Sequence, residues 1–260
     1  MWWTENMIVV KLNSGGVMLF APVKIHDETE FGQFLASLGD VKYIVAPSCE
    51  HNLQLPGIIK KYPDAKIIAH STTEKKLNNL QVLPKGKLDF DFAVSSDLEQ
   101  LNNVLKDEGV QMFYIAGDCA TNSLFVVAHK VALEADLIYT HADGEGALMF
   151  DKAEFRAADP KDVFGRIFKF RLLSKPNSPN GFLPPYRFWS MDPKFWPFMF
   201  TPPADDGSSC DLMASSLRTA LSMEFDIATG IHFKRMSPEE FRSAIDKNWN
   251  WLDGKSLLPK

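Results

Sequence analysis

The chain reads Val41-Lys-Tyr-Ile-Val-Ala-Pro-Ser-Cys-Glu-His51, in which a β-rich apolar run leads directly into polar residues. Pro56 follows shortly afterwards, at a position where a helix can begin. In α/β folds, the loop at the carboxyl end of a strand collects functional side chains, because its backbone is held rigidly at one end and open at the other. Glu50 and His51 are therefore the first candidates for a functional site.

The chain before and after this stretch predicts a β-hairpin followed by a β-α-β unit. The hairpin comes from two β-rich runs, residues 7–12 and 17–22, separated by Asn13-Ser-Gly-Gly16, which tolerates the positive φ of a tight turn. The next predicted elements are a helix at 27–38, a strand at 41–47, a helix at 56–62 and a strand at 65–69. Right-handed crossover makes those two strands parallel neighbours.

The second part of the chain repeats the β character and ends in helices. Strands are predicted at 111–116, 123–128 and 131–140, and helices at 212–223 and from 237 to about 252. A turn at His129-Lys130 joins the second and third of these strands. The final helix has the clearest start, because Ser237-Pro-Glu-Glu240 offers an N-cap, a proline at the first helical position and a glutamate that reaches back.

Length and composition favour one domain over residues 1–260. With 260 residues, 45% of them apolar, the chain can bury a large core of two or more packed layers. Residues 153–211 form an insertion rich in proline and aromatic residues, which disfavours regular structure there.

The net charge and the spacing of the cysteines argue against a nucleic-acid-binding protein and against a disulfide-rich or zinc-knuckle protein. The formal charge of −5, from 28 basic and 33 acidic residues, provides no positive field for nucleic acid. Cys49, Cys119 and Cys210 are too widely spaced for a zinc knuckle or a disulfide scaffold, which favours a reducing compartment. There is no leader-like start and no apolar run long enough to span a membrane, so the sequence predicts a soluble, cytoplasmic protein without a transmembrane segment.

The order of elements resembles the metallo-β-lactamase-like hydrolase superfamily, an α/β fold built as a four-layer αββα sandwich. The first strand-end loop of that family carries His-x-His-x-Asp-His, which falls here on Ala46-Pro-Ser48-Cys-Glu50-His51, so that two histidines are absent. A later Gly-His falls on Gly117-Asp118, the aspartate that bridges two metals falls on Asp136, and the final histidine falls close to His232.

The sequence also resembles an uncharacterised, degenerate branch of this superfamily. Its loop reads Ala-Pro-Asn-x-x-His and its chain continues through Tyr-Pro-Asp-Ala-Lys; here these are Ala46-Pro-Ser-Cys-Glu-His51 and Tyr62-Pro-Asp-Ala-Lys66. The likeness spans roughly residues 7–141 and about the last thirty, with the aromatic segment outside it.

The resemblance implies one metal site instead of two. The first family site falls on Ala46, Ser48 and Asp118, of which only the aspartate is a good zinc ligand, so this site is expected to be empty. The second family site falls on Glu50, His51, Asp136 and His232. Two imidazoles and two carboxylates suit one divalent ion, whether zinc, iron or manganese, and an open position on it can hold a water whose pKa is lowered towards ~7.

Other roles for these residues stay open. Without a metal, Glu50 and His51 can serve as a general acid/base pair, since a neighbouring carboxylate raises the pKa of histidine. The same pair can instead anchor the loop by hydrogen bonds, and Asp136 can cap a turn. His141 is a second candidate for the fourth ligand, and His70, after the strand at 65–69, either lines the pocket or is a structural histidine.

We therefore expect a hydrolase-like enzyme with a single-metal site that acts on a small, apolar ester or lactone-type substrate, with Asp118 orienting water or substrate. The rival is a metal-free protein that uses the scaffold to bind a ligand or partner. The aromatic segment 182–200 fits a loop packed on the core or across a homodimer contact, or a lid over an apolar substrate. It also fits a membrane-surface contact together with the basic, apolar stretch 164–175.

Overall fold

The computed structural model describes residues 6–49, 51–79, 86–116, 123–135, 137–140, 182–183, 210–231, 233–249 and 255–259. Its strands are β1 Ile8–Lys11, β2 Val17–Phe20, β3 Val41–Val45, β4 Lys66–Ala69, β5 Phe90–Asp91, β6 Val110–Tyr114, β7 Leu124–Ala128, β8 Val131–Glu134, β9 Tyr139–Thr140, β10 Phe182–Leu183, β11 Ile227–Gly230 and β12 Phe233–Met236. Its helices are α1 Glu30–Leu38, α2 Leu55–Lys61, α3 Ser71–Asn79, α4 Ser95–Leu105, α5 Cys210–Leu221 and α6 Pro238–Trp249. None of these helices combines the length and the apolar character that a membrane crossing requires.

Two mixed five-stranded sheets form the centre of the molecule. In the first sheet the order is β1-β2-β3-β4-β5, with β1 antiparallel to β2 and the other neighbours parallel. The second sheet has the order β12-β11-β8-β7-β6, in which only β11 and β8 run parallel. The predicted hairpin and the predicted parallel pair of the β-α-β unit are both confirmed, the latter by the pairing of Ile44 with Ile67.

Apolar side chains alternate between the two faces of each strand, and this alternation fills the space between the layers. In β2, Val17 and Leu19 pack with residues of α1 and α2, whereas Met18 and Phe20 point into the space between the two sheets. Because successive side chains in a strand point to opposite faces, one apolar strand contributes to two seams of core. In β7, Val126 joins the seam between the sheets and Phe125 joins the seam under α5 and α6.

Three apolar seams therefore separate four layers, as the predicted αββα sandwich requires. The chain turns tightly between β7 and β8, where His129 and Lys130 have φ of 49° and 63°, the pair of positive values that a type I′ hairpin turn needs. The predicted capping box of α6 is also present, since the Ser237 amide donates to the Glu240 carboxylate at 2.9 Å.

The predicted strand at 131–140 is two strands instead of one. β8 ends at Glu134 because the Leu137 amide donates to the carboxylate of Glu134 at 2.8 Å, which turns the chain out of the ladder. After this turn, β9 pairs antiparallel with β10, which places Thr140 opposite Phe182. The sequence predicted irregular structure at Phe182-Leu183, but these residues precede the prolines and keep their amide hydrogens for pairing.

The rest of the aromatic segment, 184–200, and the basic stretch 164–175 lie outside the described residues. The expectations of a single domain over 1–260 and of an insertion at 153–211 stay predictions.

Candidate functional site

The carboxyl ends of strands from both sheets meet on one side of the sandwich. The chain leaves β3 through Ala46 and Pro47, and the Pro47 carbonyl accepts a hydrogen bond from the Leu124 amide at 2.7 Å. Leu124 begins β7 and lies opposite Tyr114, the last residue of β6. The end of β3 in the first sheet therefore lies beside the end of β6 in the second.

The ends of β8 and β11 lie on this same side. The two strands are parallel, with Glu134 paired with Gly230, and the Ile231 amide donates to the Glu134 carbonyl at 3.3 Å. Just before β7, the buried Ser123 hydroxyl donates to the Ala135 carbonyl at 3.2 Å, which connects the start of β7 to the end of β8. We call this side of the molecule, where β3, β6, β8 and β11 end, the strand-end rim.

Of the predicted ligands, the structure describes His51. The other predicted residues at the site, together with the reserve candidate His141, lie outside the described residues: Glu50, Asp118, Asp136 and His232. For positions 136 and 232, the residues on both sides are described, and Ala135 and Ile231 follow β8 and β11 at the strand-end rim. Within the described part of the chain, no three His, Cys, Asp or Glu residues are grouped closely enough to hold a metal ion.

His51 has a strained backbone conformation. Its φ is 55°, in the left-handed region that L residues other than glycine adopt at a cost of about 1–3 kcal/mol. The loop before it is held by the carbonyl of buried Ser48, which accepts hydrogen bonds from the Asn52 amide group at 3.1 Å and from the Thr73 hydroxyl at 3.3 Å. Strain of this kind persists where the surroundings over-determine the backbone, and such places cluster at functional sites.

The resemblance assigns Ala46 and Ser48 to the positions of the family's first two metal-binding histidines. Both are buried, at 1% and 0% exposure. A methyl group is no ligand, and a neutral hydroxyl is a poor one. The donors that the resemblance assigns to the first family metal site therefore do not suit a zinc ion, and the expectation that this site is empty stays a prediction.

His70 lies at the rim end of β4 but is fully buried. Its Nδ1 accepts a hydrogen bond from the Thr72 amide at 3.1 Å and lies 2.8 Å from the Thr72 hydroxyl. The ring packs against Phe92 and Tyr114, with centroid distances of 5.2 and 5.4 Å. Of the two roles left open for His70, the burial fits the structural one.

Glu134 is a residue that sequence reasoning missed. Its side chain is fully buried at the rim end of β8, where its carboxylate binds the Leu137 amide. Glutamate is almost never fully buried unless it is paired. The signal in the sequence is a single acidic residue that ends an otherwise apolar strand, Val131-Ala-Leu-Glu134.

Comparison with known proteins finds solved structures of similar fold. No family model matches the chain, and no curated protein matches it. Among solved structures, it is similar to the DIM-1 metallo-β-lactamase exposed to ceftazidime, with a TM-score of 0.50 and 13% identity over 96% of this chain and 85% of that one. It is also similar to a metallo-β-lactamase from Erythrobacter litoralis with β-mercaptoethanol in its active site, with a TM-score of 0.50 and 11% identity over 96% and 86%.

Identities this low establish the fold alone. Both matches are metallo-β-lactamases. The two mixed sheets and the αββα layering of this chain agree with that fold. The chain therefore has the metallo-β-lactamase fold.

Proposed function

We propose that this chain is a hydrolase-like metalloenzyme with a single-metal site at the strand-end rim. The observation that carries the proposal is the convergence of strand ends: the Pro47–Leu124 hydrogen bond joins the end of β3 to the second sheet, and the Glu134–Ile231 bond joins the ends of β8 and β11. Loops that begin at one rim bring together side chains that are far apart in sequence.

The donor set of the second family site fits one divalent ion. It consists of two carboxylates and two imidazoles, from Glu50, His51, Asp136 and His232. Zinc, iron and manganese all accept this mixture. Such an ion supplies a water of lowered pKa and polarises a carbonyl oxygen. In this proposal Asp118, which follows β6 in the sequence, orients the water or the substrate by accepting a hydrogen bond.

The pairing of β9 with β10 supports a small, apolar ester or lactone as the substrate. This pairing holds Phe182, where the aromatic segment begins, opposite Thr140, a few residues after position 136. The aromatic residues that follow Leu183 in the sequence are of the type that lines pockets for apolar ligands.

Metal analysis of the full chain, purified without chelator, tests the proposal. We expect about one equivalent of divalent metal in the wild type and a loss of most of it in His51→Ala and in Asp136→Ala. His129→Ala is the matched control for the first variant, because it removes a histidine of similarly positive φ, 49°, from the turn at the opposite side of the second sheet.

Asp226→Ala is the control for the second variant, since Asp226 is exposed and precedes the amino end of β11. Both controls should keep their metal. Metal well below one equivalent in the wild type, or no loss in the two site variants, would overturn the enzyme proposal and favour a metal-free protein that binds a ligand or a partner.

A further inference from the structure

The backbone on both sides of position 136 is held by three buried side chains. Ser123 Oγ donates to the Ala135 carbonyl at 3.2 Å. Glu134 accepts from the Leu137 amide at 2.8 Å, and the indole Nε1 of Trp249 donates to the Leu137 carbonyl at 3.0 Å. The three side chains come from the start of β7, the end of β8 and the last turn of α6.

These side chains are among the least exposed in the described part of the chain. Ser123 and Glu134 are 0% exposed and Trp249 is 1% exposed. A buried carboxylate is costly unless hydrogen bonds satisfy it, and removing it would leave the buried Leu137 amide without this acceptor. Glu134 therefore fixes the turn after β8 at a desolvation cost that an apolar side chain would not incur.

Glu134 also connects the two strand ends that carry the predicted ligands. Its carboxylate holds the amide just after position 136, and its carbonyl accepts from Ile231, just before position 232. Trp249 then fixes the other polar group of the same Leu137. Groups that hydrogen-bond a metal ligand directly usually change metal affinity by about 10–100-fold when they are removed, and Glu134 and Trp249 act one step further out, on the backbone beside position 136.

We propose that Glu134 and Trp249 are positioning residues for a metal ligand at Asp136, with Ser123 supporting the chain on the other side. This inference rests on the proposed function. Glu134 and Trp249 do not touch the metal; they set the direction in which the chain leaves β8 and hence where residue 136 presents its carboxylate. Losing either one should loosen the geometry of the site more than the fold.

Cobalt(II) titration of the metal-free full chain tests this, because the visible bands of bound cobalt report ligand geometry independently of activity. Glu134→Leu keeps much of the volume but removes the acceptor, and Glu134→Gln restores an acceptor oxygen. We expect about a tenfold or greater loss of cobalt affinity and altered bands in Glu134→Leu, and affinity within about threefold of wild type in Glu134→Gln.

Trp249→Phe removes the indole donor and keeps an aromatic ring in the core, so we expect about a tenfold loss of cobalt affinity. Phe241→Leu is its matched control, because Phe241 is buried in the same apolar cluster and the change also removes core volume. The control should lower the melting temperature but leave cobalt affinity and bands unchanged. If Glu134→Leu fails to fold, the comparison of Trp249→Phe with Phe241→Leu still tests the positioning role.

Cobalt bands and affinity in Trp249→Phe that match those of Phe241→Leu would overturn the positioning role while leaving the metal site intact. A wild type that binds no cobalt would overturn both this inference and the proposed function. The two failures are therefore distinguishable.

Discussion

At the scale of single residues, His51 combines a predicted role with an unusual backbone. The sequence singled it out by its place after an apolar strand, but its φ of 55° could not be read from the sequence. Neither the loop length nor the residue type requires a left-handed conformation there. The loop before His51 is held both locally and from a distance, since the Ser48 carbonyl accepts from the Asn52 side chain and from Thr73 in α3.

This strain leads to a prediction about stability. His51→Gly and His51→Ala both lose the imidazole, so any difference between them reflects the backbone. Because a side chain at positive φ costs about 1–2 kcal/mol relative to glycine, we expect His51→Gly to be more stable than His51→Ala by about 1 kcal/mol in urea unfolding. A lower stability of the glycine variant would show that the loop does not hold this φ in solution.

Glu108 provides a pH-dependent prediction. Hydrogen bonds from Ser14, followed by the charges of Lys42 and His129, lower the pKa of Glu108 below its ordinary value. A carboxyl whose pKa is lowered in the folded state stabilises the protein above its unfolded pKa of about 4.3, and this contribution is lost as the pH falls through the folded value.

The free energy of unfolding of wild type minus that of Glu108→Gln should therefore be positive at pH 7 and shrink towards zero as the pH falls below about 4. The group is largely exposed, so the difference should be only about 0.2–1 kcal/mol. Urea titrations at several pH values measure it. A difference that grows at acid pH would contradict the assignment.

At the scale of elements, local patterns predicted some boundaries well and missed others for identifiable reasons. The capping box at Ser237 and the turn at His129-Lys130 depend on neighbouring residues, and both formed as predicted. The helix α3 is mostly polar and α4 has no capping side chain at Val94, so neither gave a strong local signal. The break after β8 depends on the buried side chain of Glu134, which no period-two pattern reveals.

α4 also protects the outer edge of the second sheet. β6 is the last strand of that sheet, and the side-chain amide of Asn102 donates to the Met112 carbonyl at 2.9 Å and accepts from the Met112 amide at 2.8 Å. One side chain therefore pairs both backbone groups of an edge residue that would otherwise be open to association.

Asn102→Asp should destabilise the protein by about 1–3 kcal/mol, because a carboxylate oxygen replaces the amide donor that faces the Met112 carbonyl. Asn103→Asp is the matched control: it makes the same change at an exposed position on the same helix and should shift stability by less than about 0.5 kcal/mol. If Asn102→Asp and Asn103→Asp lower the stability equally in thermal or urea unfolding, the loss comes from a negative charge on the helix and not from the lost bond to Met112.

At the scale of the whole molecule, the strand-end rim is built from both sheets. Ala46 and Pro47 continue from the first sheet, whereas Ala135, Leu137 and Ile231 continue from the second. The Pro47–Leu124 hydrogen bond and the apolar seam between the sheets hold the two halves of the strand-end rim together. A metal bound across this rim would therefore stabilise the entire fold.

Chelation tests that coupling. A ligand that binds only the folded state at about 100 times its Kd adds about 2.7 kcal/mol, which corresponds to about 5–10 °C in Tm for a chain of this size. We expect a chelator to lower the Tm of the wild type by this amount and to leave His51→Ala unchanged. Equal shifts in the two proteins would indicate an effect unrelated to the proposed site.

Local patterning was sufficient for most strands of the two sheets, for four of the six helices and for recognising the likeness to the metallo-β-lactamase fold, because alternation, capping and turn chemistry act between residues close in sequence. The strands β5 and β12, and the burial of His70 and of Glu134, came from the assembled fold. These features depend on contacts between residues far apart in the chain, and such contacts exist only once the two sheets have packed face to face.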